Sequence, residues 1–176
     1  MDEKGLVHIY CGDGKGKTTA AMGLLLRSAG RGRKAVLVQF LKSQETGEVI
    51  ALEKFDQVKV LRSEKKLPFY HQMDLAQKNL SYNINAELLE QGFHEAKRIR
   101  ADLLVLDEVV GALNYGLLDQ DRLFRLMDER ENKLEVVLTG RNPKDEVMKR
   151  ADYISRIEKV RHPFDAGIAA RDGIER

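Results

Sequence analysis

Nine residues near the start of the chain, Cys11-Gly12-Asp13-Gly14-Lys15-Gly16-Lys17-Thr18-Thr19, constrain its architecture more than any other stretch. They separate an apolar run, Leu6-Val7-His8-Ile9-Tyr10, from a helical pattern that begins at Lys17. Glycines let a backbone curl so that successive N–H groups point inward as an anion nest, and the helix start beyond adds partial positive charge. Lys17 is placed to reach phosphates and the Thr18 hydroxyl to hold Mg²⁺. Three glycines at set places arise by chance about three times in ten thousand at ordinary glycine usage. The general pattern G-x-x-x-x-G-K-[ST] has its first glycine where this chain has Cys11, so Gly12 and Gly14 shape the beginning of the loop. A glycine-rich turn without a ligand is the bland alternative. The strand–helix setting and the Lys17-Thr18 pair favour a nucleotide site.

The rest of the chain repeats the strand–helix alternation. Ala20, Ala21, Met22, Leu24, Leu25 and Ala29 make a buried helical face that Gly30 and Gly32 stop. Ala35–Leu41 is almost continuously apolar, as a strand covered on both faces should be. Strands are expected at Val58–Leu61, Leu103–Leu106, Leu134–Thr139 and around Tyr153–Lys159. Helices are expected over a stripe from Leu88 to Ile99, over about 119–131 and near 144–150. Such alternation predicts a three-layer α/β domain with a mainly parallel sheet and right-handed crossovers, and the glycine-rich loop after its first strand makes a P-loop NTPase domain the expectation. The stretch 42–86 is polar and weakly periodic, and reads either as a lid or binding segment or as plain surface loop.

Composition narrows the function classes. The chain has 176 residues, a length suited to one domain over 1–176, with Lys plus Arg at 30 against 28 for Asp plus Glu. A net charge of +2 lacks the basic excess of a nucleic-acid or membrane surface, so neither partner is expected. The single cysteine, Cys11, excludes an internal disulfide, and beside apolar neighbours it reads as a small buried residue. His8, His71, His94 and His162 lack metal-ligand spacing. No apolar run approaches the ~18 residues of a membrane span, and Met1-Asp2-Glu3-Lys4 does not open like a signal peptide. A soluble, cytoplasmic protein is the expectation.

Two further strand ends belong with the glycine-rich loop. Leu103–Leu106 runs into Asp107-Glu108, and acids there bind Mg²⁺ or orient a reacting water. In a parallel sheet they emerge at the same carboxyl edge as the loop. Thr139-Gly140-Arg141-Asn142 ends another strand at that edge. Arg141 is suited to clamp a terminal phosphate, or stands as a surface residue at a helix start.

Five segments in this order carry a family likeness: Gly12-Asp13-Gly14-Lys15-Gly16-Lys17-Thr18-Thr19-Ala20-Ala21, Val38-Gln39-Phe40-Leu41-Lys42, Leu106-Asp107-Glu108, Thr139-Gly140-Arg141, and His162-Pro163-Phe164-Asp165-Ala166-Gly167. Through them the chain resembles the P-loop corrinoid adenosyltransferases, which act on cob(I)alamin or cob(I)yrinic acid a,c-diamide. The resemblance spans roughly 4–42 and 102–176. It implies a RecA-like fold, a homodimer, ATP and a reduced corrinoid as substrates, Mg²⁺, and a flavoprotein reductase as electron donor. The implied reaction moves the 5′-deoxyadenosyl group of ATP to cobalt(I) and releases triphosphate, with ATP lying reversed in the loop. Gly12, Asp13, Gly14, Lys15, Gly16, Lys17, Thr18 and Thr19 would hold the triphosphate, and Thr18 with Asp107 or, first, Glu108 would hold the metal. Lys17, Thr18, Glu108 and Arg141 are the expected catalytic set. No Ser-His-Asp or Cys-His constellation stands out in the sequence, and a substrate whose own metal is the nucleophile requires none.

The middle of the chain departs from the family. Its better-known members press a Phe and a Trp against the lower corrin face, and this chain has no Trp. Phe69 and Tyr70, in Leu67-Pro68-Phe69-Tyr70-His71-Gln72-Met73, are the nearest candidates for contact with a corrinoid; anchoring that loop into its own core is the alternative. In the tail, Asp165 either touches a ribose or caps a helix, and Phe164 lines either a pocket or a core. Two other functions fit the same loop. One is a phosphotransferase or ATPase acting at the γ-phosphate with Glu108 or Asp107 as base, and the other a non-catalytic ATP-dependent sensor.

Overall fold

Strands that are apolar on both faces need a layer of helices above and below, and strands running the same way need long crossovers to join them. The computed structural model, which describes residues 4–42 and 46–174, meets both demands. Strands β1 (Val7–Cys11), β2 (Ala35–Gln39), β3 (Val58–Arg62), β4 (Leu103–Asp107), β5 (Glu135–Thr139) and β6 (Tyr153–Arg156) form one sheet. Their order is β3-β2-β4-β5-β1-β6, and every neighbouring pair is parallel. The helices are α1 (Lys17–Ala29), α2 (Gly47–Leu52), α3 (Leu75–Ile99), α4 (Val109–Asn114), α5 (Gln120–Asp128) and α6 (Asp145–Met148). Single 3-10 turns lie at Tyr70–Gln72 and Pro163–Ala166.

The two-residue period of the strands sorts the core into two halves. Val36, Val38, Leu104, Leu106, Val136 and Leu138 face α3, α4, α5 and α6. Ala35, Leu37, Leu103, Val105 and Val137 face α1 and α2. The α/β class and the parallel strands expected from the sequence are thus present, with small shifts at element ends. No helix among the described residues is long and apolar enough to cross a membrane.

The uncertain stretch 42–86 resolves into ordinary elements over its described part. It contains α2, β3, the turn at Tyr70–Gln72 and the first half of α3. Helix α3 therefore starts well before the apolar stripe at Leu88, because the early turns bury polar side chains. Asn85 donates to the Leu117 carbonyl at 3.2 Å and to Ser81 Oγ at 3.4 Å, and both residues are buried. Leu75, by contrast, is 74% exposed. A helix that hides Ser81 and Asn85 while showing Leu75 has no clean apolar period to read. Helix α4, too short and too uniformly buried for a period, was likewise not expected.

A reciprocal cap begins α3: Gln77 N donates to Asp74 Oδ1 at 2.7 Å and Asp74 N donates to Gln77 Oε1 at 3.0 Å. This cap makes Asp74 the sharp boundary between the loop before it and the helix. Asp74→Ala should lower the unfolding free energy by about 0.5–2 kcal/mol, measured by denaturant titration, with no change in the denaturant slope.

Candidate active site

Because all six strands are parallel, their carboxyl ends share one edge, and the functional side chains gather there. Strand β1 ends at Cys11, which is only 1% exposed and points into the α3–α6 half of the core. The unusual residue at the first motif position is therefore still strand, and the loop proper opens at Gly12. Gly12 has φ +104, and a Cβ there would collide with the Ile157 carbonyl. The segment after β6 runs along the loop: Ile157 N donates to the Cys11 carbonyl at 2.8 Å and Gly14 N to the Ile157 carbonyl at 2.9 Å. Gly16, at φ 120, forms the N-cap of α1.

These contacts sort the loop residues. The Gly14 amide is committed to Ile157 and is thereby withdrawn from the nest. Asp13 accepts a hydrogen bond from Lys159 N at 3.2 Å, and that backbone N–H is the main reason its carboxyl stays below the usual range. Its charge is thereby turned toward the tail. Lys17 folds over the loop and donates to the Gly14 carbonyl at 2.8 Å. Burial first, then the nearby Arg141, pulls the Lys17 pKa below its ordinary value.

At the centre lies Asp107, fully buried at the end of β4. Its Oδ1 accepts from Thr18 Oγ1 at 2.9 Å and from Thr139 Oγ1 at 2.8 Å. Its Oδ2 accepts from Lys42 Nζ at 2.7 Å and, more loosely, from Gln39 Nε2 at 3.5 Å. Thr139 Oγ1 in turn accepts from Glu108 N at 2.8 Å. Glu108 itself sits in the left-handed region with φ 63. Burial, and then the charge of Asp107, raise the Glu108 pKa, while Lys42, Lys17 and Arg141 pull it back. Arg141 lines the same cavity, and Asn114 Nδ2 holds its turn by donating to the Arg141 and Asn142 carbonyls at 2.8 and 3.1 Å.

The structure thus brings together Lys17, Thr18, Asp107, Glu108 and Arg141. It adds Gln39, Lys42, Asn114 and Thr139, to which sequence reasoning gave no role. A signal for two of these was present: Gln39 is the one amide in an apolar strand, and Lys42 follows the same strand's carboxyl end.

The cavity over this edge has a volume of about 1240 Å³, above the 300–1,000 Å³ of an ordinary small-molecule site. Residues 14–19 form one wall, 67–73 a second, and the tail with Phe164 and Ile168 a third. Phe69 is 80% exposed on the second wall. Tyr70 stacks on Tyr115 with ring centres 4.4 Å apart and planes 11° from parallel, and Lys78 Nζ lies 4.7 Å above its ring. His71 meets both tyrosines edge-on. The aromatic pair is therefore divided, with Tyr70 anchoring the loop and Phe69 left open to the cavity. In the tail, His162 Nδ1 accepts from Phe164 N at 3.1 Å, so His162 and not Asp165 caps the turn. Asp165 pairs with Lys159 Nζ at 3.0 Å, and Phe164 lines the cavity instead of the core.

Among the described residues, no cluster of three or more His, Cys, Asp or Glu side chains could hold a metal alone. The donors at the strand ends are the Thr18 hydroxyl and the Asp107 and Glu108 carboxylates. Beside them Gln39 Oε1 is a buried acceptor with no hydrogen-bond partner among the described residues. An all-oxygen set of one or two carboxylates suits Mg²⁺, which commonly completes its shell with substrate phosphates and water.

A KaiC-like protein from Pyrococcus horikoshii shares the fold, with a TM-score of 0.57 at 18% identity, over 88% of this chain and 73% of that one. A corrinoid adenosyltransferase from a Sinorhizobium species is 34% identical over 99% of this chain and 81% of its own length. The corrinoid adenosyltransferases of Pseudomonas aeruginosa and Escherichia coli K12 are 32% and 30% identical over 99% of this chain and 85% and 87% of theirs. With residues 3–176 matching the family model as well, the chain belongs to the ATP:corrinoid adenosyltransferase BtuR/CobO/CobP family and is a transferase.

Proposed function

We propose that this protein transfers the 5′-deoxyadenosyl group of ATP to the cobalt(I) of a corrinoid. Cobalt(I) supplies the electron pair for the new cobalt–carbon bond and becomes cobalt(III), while the C5′–O bond breaks and inorganic triphosphate leaves. The observation that carries the reading is the cavity: beyond the phosphate loop it leaves a second, open wall bearing an exposed Phe69. A hydrolase acting on ATP and water needs no such wall. Cys11 is buried in the core, away from this space, so the chain's one thiol offers no competing nucleophile.

In this reading the N–H groups of Gly16 to Thr19, together with Lys17 and Arg141, bind the triphosphate and leave C5′ toward the open wall. Thr18 with Asp107 and Glu108 would hold Mg²⁺, whose charge helps neutralise the departing triphosphate. The chain's main contribution is to hold two large substrates in line, since the nucleophile belongs to the corrinoid. Tyr115 holds Tyr70, and through it sets Phe69 against the corrin. A homodimer, a flavoprotein reductase as electron donor and a cytoplasmic location belong to the same proposal, on the strength of the family resemblance.

Incubation with Mg-ATP and chemically reduced cobalamin or cobinamide should yield a light-sensitive adenosylated product and triphosphate. Release of phosphate or diphosphate without a cobalt–carbon bond would refute the assignment. Lys17→Ala and Thr18→Ala should each lower turnover by about 10²–10³-fold, the usual cost of removing one group that stabilises developing charge. Phe69→Ala should slow the route from cobalt(II) more than the reaction begun from cobalt(I). Tyr115→Ala should raise KM for the corrinoid and leave KM for ATP unchanged, and Tyr115→Phe, which keeps the ring, should behave as the parent. Equal rises in both KM values would show that the stacked pair does not serve the corrinoid wall.

A further inference from the structure

Lys42 Nζ lies between two oxygen atoms of the site, 2.7 Å from Asp107 Oδ2 and 3.2 Å from Thr18 Oγ1. Those are two of the donors assigned above to Mg²⁺. We infer that Lys42 is the resident cation of the nucleotide-free site, holding Thr18 and Asp107 in place until a divalent ion takes over its position. The inference rests on the proposed function only for the identity of the incoming ion.

Lysine and metal cannot share this position. Each requires the same lone pairs on Asp107 Oδ2 and Thr18 Oγ1, and two cations in contact repel strongly where water is excluded. With Lys42 in place, both carboxylate oxygens of Asp107 are taken by protein donors. An ion that binds Asp107 Oδ2 directly therefore has to displace Lys42.

The backbone around Lys42 fits a part that moves. Phe40 is fully buried, and its N–H donates to the Asp107 carbonyl at 2.9 Å, which fastens the end of β2 to β4. Directly after this anchor Leu41 adopts φ 57, a left-handed conformation that a leucine rarely accepts. That turn swings Lys42 back over the strand ends. A strained residue keeps such a conformation only while its surroundings hold it, and the pairing of Lys42 with Asp107 is one such hold. The Lys42 side chain is 30% exposed, so it has a way out to solvent.

Gln39 supplies independent support. The residue is fully buried and lines the same cavity, its Nε2 reaches toward Asp107, and its Oε1 has no hydrogen-bond partner among the described residues. An ammonium already spent on Asp107 and Thr18 does not satisfy it. A hydrated divalent ion brings the donors this oxygen lacks. Lys42 is on this account a positioning residue, acting through Thr18 and Asp107.

Melting of the full chain in MgCl₂ without nucleotide tests the exchange. Wild-type protein should melt at the same temperature with and without the ion. Lys42→Met should melt lower, because Asp107 loses its counter-charge, and millimolar Mg²⁺ should restore about 2–4 °C. Adding Asp107→Asn to that variant should abolish the response. Lys42→Gln, which keeps a donor but no charge, should give the same restoration if the methionine variant does not fold. In calorimetry with a non-hydrolysable ATP analogue, Lys42→Met should need several-fold less Mg²⁺ for half-saturation and Lys42→Arg should need more. A magnesium response no greater than that of the wild type, or a Mg²⁺ requirement unchanged in both variants, would overturn the inference. The metal-only melts involve neither corrinoid nor adenosyl transfer, so this idea and the proposed reaction can fail separately.

Discussion

The carboxylate of Asp107 ties the site together. It is fully buried, and a charge in that position is tolerable only if its oxygens are matched by donors. Those donors come from the first turn of α1, from the end of β2 and its continuation, and from the end of β5: Thr18, Gln39 with Lys42, and Thr139. Thr139 passes the connection on to the backbone of Glu108. One side chain thus sets the spacing between the phosphate loop and the strands across from it. Charge-assisted hydrogen bonds contribute about 1.5–3 kcal/mol each, and leaving one partner buried and unmatched costs at least as much. The network is therefore stiff while it is complete.

A second tie acts on the outer side of the loop. The segment after β6 lies against it through Ile157, and Lys159 N engages Asp13. Glycine at position 12 is a condition of that close approach. The same segment continues into the turn at Pro163–Ala166, which places Phe164 on the cavity wall. The likeness of the tail to the family thus acquires a physical meaning, for the tail is part of the loop's support.

The cavity divides its labour along this frame. Near the sheet edge it is cationic and rigid, where Lys17, Lys42 and Arg141 surround the two acids. Farther out it is aromatic, and there Tyr70 and Tyr115 spend their faces on each other while Phe69 keeps its own exposed. An anionic chain of phosphates suits the first region and a broad apolar ring the second. One cavity thus offers two chemically unlike surfaces.

The local features were legible because their causes are local. Alternation of apolar runs and helical stretches announced a parallel α/β sheet, the glycines with Lys17-Thr18 located the phosphate loop, and an apolar strand ending in Asp107-Glu108 located the acids. The first half of α3 was not legible, because its buried positions are Ser81 and Asn85 and no apolar stripe marks them. Nor was the gathering of Gln39, Lys42 and Thr139 around Asp107, or the stacking of Tyr70 on Tyr115. Lys42 and Asp107 are 65 positions apart in the chain and meet only because β4 lies beside β2. The sequence by itself determined which segments become strands, helices and phosphate loop, through backbone preference and periodicity. Strand order, a property of the whole packed sheet, decided which side chains share an oxygen atom at its edge.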